Sequence, residues 1–490
     1  MPTGHTSRFN ILQSSPHDLS PPCPEPVPKP SLTHWVPSHY NVRALTDDGR
    51  LVVWNTLSSA MSVFPPEQVD RVRKAIRKPG LQGRREGLVE YLVERGFLIE
   101  KGTDEMRKFR LRFGRQHYRT DSLEFILLAS EDCNFRCKYC YERFERGTME
   151  PWVREGLKKH VMQRLDSLGR LTVGWFGGEP LYGFAAIEDL APFFVEVAEK
   201  HDIAYHSHMT TNGFLLTPDV VEKLLAWKVT SYQITIDGAP EQHDCSRPTR
   251  EGEGTFDTIF TNLQAMARRT DDFSVAIRVN FDRQNVDHLH RFLDLLEESF
   301  QGDPRFKLRF HAVGRWGGEN DENLEVCGAD SEQIIRDLQE EARRRGLDSK
   351  GSLKSSNLLG SQVCYAARPY NFVVGASGKL MKCTIELDTN ERNVVGQLTQ
   401  DGAMELHDDR LALWTEPAYE SDTKCQSCVA LPMCQGVHCP LVRIEDDRSP
   451  CTSLRLNMKR ELREHTERGQ ARKRTAFVAT SEAGNGATPS

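Results

Sequence analysis

Three cysteines crowd into one short stretch, Cys133-Asn134-Phe135-Arg136-Cys137-Lys138-Tyr139-Cys140, just after an apolar run, Phe125 to Leu128, that reads as a β-strand. Three thiolates on one loop can hold three irons of a 4Fe-4S cube and leave the fourth iron without a protein ligand. A zinc loop is the plainer alternative, and it needs a fourth ligand nearby at zinc-like spacing. The chain has thirteen cysteines in 490 residues. No hydrophobic segment of the secretory kind stands in the first thirty residues, and no apolar run approaches membrane-spanning length. The sequence therefore reads as cytoplasmic, with no membrane partner. Cytosolic thiols stay reduced and bind soft metals, so metal explains these cysteines better than disulfides do. A net charge of -6 gives no footprint for nucleic acid over the whole chain, which disfavours that partner.

The length suggests about three modules. Residues 1–35 carry Pro21, Pro22, Pro24, Pro26, Pro28 and Pro30 and are expected to be a disordered tail. Residues 36–120 read as a small winged-helix-like module. It has a hairpin of Tyr40 to Leu45 and Leu51 to Trp54 about the turn Asp47-Asp48-Gly49. Two short helices follow, with Val69, Val72 and Ile76 on one face and Leu88, Val89 and Leu92 on the other, then Gly96 and the edge segment Phe97-Leu98-Ile99. Over residues 121–310 short apolar strands alternate with amphipathic helices. The strands are Phe125 to Leu128, Leu171 to Phe176, Tyr205 to Thr210, Tyr232 to Ile236, Val275 to Asn280 and Phe306 to Phe310. This pattern predicts an α/β fold with a parallel sheet, and six units suit an open, partial (β/α)6 barrel. Residues 311–360 read as a polar bridge, 361–455 as a cysteine-rich domain, and 456–490 as a helical and then disordered tail.

The cysteine triplet, placed between a barrel strand and a helix, resembles the radical S-adenosylmethionine (radical SAM) superfamily, and further motifs match in order. Trp175-Phe176-Gly177-Gly178-Glu179-Pro180 is similar to the family's G-G-E-P element, whose bare backbone approaches the methionyl amine of the cofactor. Thr210-Thr211-Asn212-Gly213 and Thr235-Ile236-Asp237-Gly238 resemble segments that contact its ribose and carboxylate. Each is equally readable as a strand-end turn. Tyr139 stands where the family places an aromatic against adenine. His243-Asp244 with Arg247 also follows the family's order, although a structural ion pair would explain it as well. The resemblance implies that Cys133, Cys137 and Cys140 hold a 4Fe-4S cluster. Tyr139, Gly177, Gly178, Glu179, Pro180, Thr211, Asn212, Thr235 and Asp237 would surround S-adenosyl-L-methionine, which yields a 5'-deoxyadenosyl radical.

Downstream, Cys364, Gly378, Cys383, Cys425, Cys428, Cys434, Cys439 and Cys451 closely resemble the SPASM domain of peptide-modifying radical SAM enzymes. The resemblance assigns Cys425, Cys428, Cys434 and Cys451 to one auxiliary 4Fe-4S cluster and Cys364, Cys383 and Cys439 to another. The second set lacks one ligand: its remaining iron is either open for substrate or held by a distant ligand, for which Cys327 is the first candidate and Cys245 the second. Cys23 reads as a bystander. Four residues separate Cys434 from Cys439 where three are usual. In sulfatase-maturing relatives an aspartate follows the equivalent of Cys383, whereas Thr384 stands here, which disfavours formylglycine formation.

The N-terminal module resembles the RiPP recognition element, which binds leader peptides as an added edge strand. Bracing of the barrel is the structural alternative. The combined resemblance implies a maturase that abstracts a hydrogen from a ribosomally made precursor peptide and closes a thioether or carbon-carbon crosslink. An electron donor such as a flavodoxin or ferredoxin would serve it. The alternative is a radical SAM enzyme acting on a small molecule or on RNA, for which Arg455, Lys459, Arg460, Arg463, Arg468, Arg472, Lys473 and Arg474 would supply charge. A non-enzymatic electron-transfer protein is the third reading, and the open-iron triplet argues against it.

Overall fold

The structure, a computed structural model, describes residues 34–78, 87–144, 147–349, 360–361, 363–446, 451–452 and 454–467. The proline-rich stretch to residue 33, Cys23, and the tail residues Arg468, Arg472, Lys473 and Arg474 lie outside the described residues, as do 350–359 of the expected bridge.

The chain begins with β1 (Trp35–Pro37), β2 (Asn41–Leu45), β3 (Leu51–Asn55), β4 (Met61–Phe64), α1 (Val69–Arg77), α2 (Leu88–Glu94), β5 (Leu98–Glu100) and α3 (Glu105–His117). The expected hairpin is β2 and β3, registered Leu45 to Leu51, with Gly49 at φ +81° in the connecting turn, a conformation open to glycine without steric cost. β4 adds a third antiparallel strand that the sequence did not show, and β5 pairs with β1 as a separate two-stranded ribbon. One face of the three-stranded sheet buries Leu51, Val53 and Phe64 against Val72 and Ile76 of α1 and Leu92 of α2. The other face, Val42, Ala44, Val52 and Trp54, packs on Ala430, Met433, Leu454, Met458 and Leu462. The module thus braces the C-terminal cysteine field rather than the barrel. The Thr56 hydroxyl reinforces that contact by donating to the Val429 carbonyl at 2.5 Å.

Six parallel strands follow, each leading into a helix: β6 (Ser122–Ser130), α4 (Pro151–Gln163), β7 (Arg170–Gly177), α5 (Phe184–Lys200), β8 (Ala204–Thr211), α6 (Pro218–Ala226), β9 (Val229–Thr235), α7 (Pro240–Ser246), α8 (Phe256–Ala267), β10 (Ser274–Phe281), α9 (Leu289–Phe300) and β11 (Phe306–Ala312). All six expected strands are present, and they neighbour one another in chain order. β6 and β11 do not pair, so the barrel is open. α10 (Ser331–Arg344) leads to β12 (Asp348–Ser349), which extends the β11 edge in parallel. At the opposite edge β13 (Asn371–Val374), from the cysteine-rich region, joins β6 in parallel. An antiparallel meander, β14 (Lys379–Met381), β15 (Val394–Leu398) and β16 (Met404–Leu406), continues the same sheet. Short helices α11 (Asp408–Thr415), α12 (Thr423–Gln426), α13 (Leu431–Cys434) and α14 (Pro440–Asp446) follow, with Cys425 in α12, Cys434 in α13 and Cys428 and Cys439 in the links beside them, and a helix over 454–467 ends the described chain. Among the described residues no helix is long and apolar enough to cross a membrane.

Candidate functional site

The cysteine loop leaves the C-terminal end of β6 and is tied down along its length. Asp132 accepts from the Cys133 amide at 2.8 Å and from Arg250 at 2.6 Å. Arg136 donates to the Cys133 carbonyl at 2.8 Å. The amides of Arg136 and Lys138 reach the carbonyls of Pro248 and Ser246, and the Arg250 amide reaches that of Asn134. Protein contacts thus hold the loop along its length.

Gly177 and Gly178 sit against this loop. Gly177 has φ +119°, and a Cβ there would stand 2.0 Å from the Ser130 carbonyl oxygen; one on Gly178 would stand 2.6 Å from that of Asp132. The bareness of the Gly-Gly pair thus serves contact with the cysteine loop, a role the sequence reading did not assign. Glu179, with no exposed surface, accepts from the Leu181 amide at 3.0 Å, the Thr211 hydroxyl at 2.7 Å and the Asn212 amide at 2.7 Å. Burial pushes its carboxyl upward against those bonds. Pro180 opens a single 3-10 turn, Pro180–Gly183. Asn212 donates to the Asn134 side chain at 2.8 Å and approaches the Cys133 sulfur at 3.9 Å.

A second network crosses the mouth. The Tyr139 hydroxyl donates to Asp237 at 2.5 Å and accepts from Arg247 at 2.7 Å and Asn280 at 2.9 Å. Asp237, fully buried at the end of β9, also accepts from the Asn280 amide at 3.0 Å, and Thr235 lies buried two residues before it. His243 and Asp244 form no ion pair with each other: His243 contacts the Thr255 hydroxyl at 3.0 Å, while Asp244 caps the Thr255 and Phe256 amides at 2.7 and 2.8 Å. Asp244 thus anchors the start of α8, and the charge facing Arg247 is Asp237. Arg247 and Asn280 were not among the expected site residues; only Arg247's place after His243-Asp244 could have signalled either. A cavity of about 200 Å³ opens beside the network, lined among others by Lys138, Tyr139, Asp237, Cys245 and Asn280.

Burial pushes the thiols of Cys133, Cys137 and Cys140 upward, Cys140 to about 12, and the three disfavour one another's charge. All are free thiols. Gathered soft donors that cannot easily ionise alone fit a cationic iron-sulfur cluster, whose charge would offset both costs. Among the described residues, no group of three or more His, Cys, Asp or Glu side chains closes on a point suited to a single metal ion.

The C-terminal cysteines fall into two groups. Cys425, Cys428, Cys434 and Cys451 line a cavity of about 640 Å³, and the Cys434 thiol, pushed up to about 12 by burial, also feels the other three. Arg455 donates to the Cys451 sulfur at 3.4 Å. Cys364 lies beside both Cys439 and Cys383. Neither candidate for the missing ligand joins this second group. Cys327 is buried before α10 with Arg283, Asp282 and Asp330 as its charged neighbours, while Cys245 accepts from Lys138 at 3.0 Å at the barrel mouth. The sequence reading also missed Tyr141 and Tyr365. Tyr141 is half-buried with Cys140 and Cys383 among its neighbours, and the Tyr365 hydroxyl contacts that of Thr384 at 2.7 Å.

An open β/α barrel with a cysteine loop at the mouth of its first strand defines the class, and the family model of the Radical SAM superfamily matches residues 127–296. The chain carries a domain of that superfamily. It is similar to the AdoMet-dependent heme synthase of Methanosarcina barkeri, at 28% identity over 43% of this chain and 57% of that protein. The mycofactocin maturase of Mycolicibacterium smegmatis is 26% identical over 62% of this chain and 74% of its own. The solved structure of native anSMEcpe with bound AdoMet superposes with a TM-score of 0.52 at 19% identity, covering 73% of this chain and 99% of that one. The chain spans about half the length of the first curated relatives it matches, 57% and 46%.

Proposed function

We propose that this chain is a radical SAM enzyme that modifies a peptide precursor. The observation that carries the reading is the Cys133/Cys137/Cys140 loop, held at the mouth of an open parallel barrel with Glu179 on one side and the Tyr139–Asp237 pair on the other. When bound, a 4Fe-4S cluster and S-adenosyl-L-methionine supply the 5'-deoxyadenosyl radical. The three thiols are the cluster's ligands. Gly177, Gly178, Glu179, Pro180, Thr211, Asn212 and Thr235 form the cofactor's wall. Glu179 accepts three hydrogen bonds and a carboxylate has about four lone-pair sites, which leaves room for one ammonium donor. Tyr139, locked by Asp237, Arg247 and Asn280, presents a fixed ring face for stacking.

In this reading Cys425, Cys428, Cys434 and Cys451 hold one auxiliary cluster. Cys364, Cys383 and Cys439 hold a second with one iron free of cysteine. A reduced flavodoxin or ferredoxin in the cytoplasm donates the electron. The similarity to proteins named as a maturase and a peptide cyclase supports a precursor peptide as substrate; the product in this reading is a thioether or carbon-carbon crosslink. The similarity to a heme synthase supports a second reading, a small-molecule substrate.

Anaerobic reconstitution followed by iron counting and a deoxyadenosine assay tests the core of the proposal. About twelve irons per chain with deoxyadenosine formed are expected. Full iron loading without deoxyadenosine would overturn it.

A further inference from the structure

Five cations converge on one cavity far along the chain from the cysteine loop. Arg43 of β2, Arg73 and Arg77 of α1, and Lys459 and Arg463 of the 454–467 helix line a space of about 410 Å³ floored by Ala44, Leu45 and Leu51. Among the described residues no carboxylate lines it. Asp47, 84% exposed, stands 3.5 Å from Arg463. Among the described residues no ion pair engages Arg43, Arg73, Arg77 or Lys459. The Arg463 Nε is buried without a hydrogen-bond partner. On both helices the paired cations stand four residues apart, a spacing at which like charges destabilise a helix. The protein thus carries an electrostatic cost here that, among the described residues, only the exposed Asp47–Arg463 pair offsets in part.

A ligand of opposite charge would offset it. The floor is aliphatic and, among the described residues, the lining holds no aromatic side chain on which a base could stack, which disfavours single-stranded RNA. The chain's net charge of -6 opposes a polyanion further. Its own terminal segments do not fit either: residues 1–33 contain only Asp18 and Glu25 as acids, and 468–490 only Glu482 beside Arg468, Arg472, Lys473 and Arg474. β2 is moreover an edge strand of its three-stranded sheet, so a strand's unpaired side borders the cations.

We propose that this cavity binds an acidic, aliphatic-containing segment of a peptide substrate, carboxylates on the five cations and apolar side chains on Ala44, Leu45 and Leu51. The inference rests on the peptide reading above and adds where and by what chemistry the peptide is held. It places the recognition site between the N-terminal module and the last described helix, two elements joined by the Val42/Trp54–Leu454/Met458 contact.

Fluorescence anisotropy on the full chain tests it with three labelled probes: a peptide of alternating Glu and Leu, its Gln-for-Glu counterpart, and single-stranded RNA of equal length. Expected are binding of the Glu peptide only, weakening with salt, and a loss of at least about tenfold in Arg73→Glu/Arg77→Glu. Arg73→Lys/Arg77→Lys is expected to retain binding. Lys459→Glu, a single exposed change, is the second variant. Wild-type affinity in both charge-reversal variants, or RNA binding equal to peptide binding, would overturn the proposal. Anisotropy needs no turnover, and the variants leave the barrel mouth untouched. Deoxyadenosine yield without peptide is therefore expected to stay unchanged, and its failure would count against the radical reading alone.

Discussion

The two cysteine regions are built in opposite ways. Around Cys133, Cys137 and Cys140, side chains and backbone of the 246–250 segment and the Asn212 side chain hold the loop, and the Gly177–Gly178 backbone closes on it within contact distance. Around Cys425, Cys428, Cys434 and Cys451 the frame is α12 and α13, of four residues each, and a wide cavity lies between the thiols. Helices that short cannot hold themselves in water. A site whose shape is set by the fold can exchange its cofactor. A site whose frame is too short to stand alone needs its metal to stay ordered.

The sharpest way to break this comparison is to remove the barrel ligands. Cys133→Ala/Cys137→Ala/Cys140→Ala is expected to lose about four irons and all deoxyadenosine formation while its circular dichroism spectrum stays that of the parent. Deoxyadenosine from the triple variant would refute the assignment of the loop, and an unfolded variant would refute its independence from metal.

Next in size is the effect of stripping all iron with a chelator. Proteolysis is expected to cut first between about residues 420 and 452, tenfold or more faster than in the loaded protein, with residues 122–312 resistant. Equal protection of both regions would show that the C-terminal frame is as self-sufficient as the barrel mouth.

A smaller change sharpens the barrel side alone. Gly178→Ala drives a methyl to 2.6 Å from the Asp132 carbonyl oxygen, which accepts from the Glu179 amide at 3.0 Å, while Arg250 holds the Asp132 side chain. The strain is expected to cost about 1–3 kcal/mol in urea unfolding and to lower iron occupancy of the triplet. Gly102→Ala, where a Cβ meets nothing within 4 Å but φ is +91°, separates backbone strain from the clash.

What was readable beforehand divides along the same line. The six barrel strands were legible because each is a compact apolar run followed by an amphipathic helix, a pattern local in sequence. β13 was not: its four residues are all buried, so no alternation marks it, and it joins β6 across more than 240 residues of chain. α3 hid behind its charge, although Phe109, Phe113 and His117 recur at helical spacing on one buried face. Among site residues, the cysteines and Gly-Gly-Glu-Pro announce themselves by type and spacing. Asn280 is an ordinary strand-end residue until the fold brings it 2.9 Å from Tyr139, 141 positions away.

The smallest expected effect concerns the join between the regions. His117, 6% exposed at the end of α3, meets the Thr415 carbonyl of α11 at 3.1 Å. Burial holds its imidazole down to about 4, with Lys382 and Arg368 adding like-charge repulsion. In the folded protein the ring stays neutral where the unfolded chain, near its ordinary value of 6.5, has already taken a proton. Stability is therefore unaffected above about pH 6.5 and falls as pH drops from there toward 4, by at most about 1.4 kcal/mol per pH unit from this group. Other buried histidines, His243 among them, contribute slopes of the same sign. His117→Gln keeps a polar contact but cannot titrate, so urea midpoints measured from pH 7 to pH 4.5 should decline less steeply in the variant. Parallel declines would mean that α3 and α11 separate before His117 is protonated, and that the two regions are joined by the Phe109, Phe113 and Tyr419 packing instead.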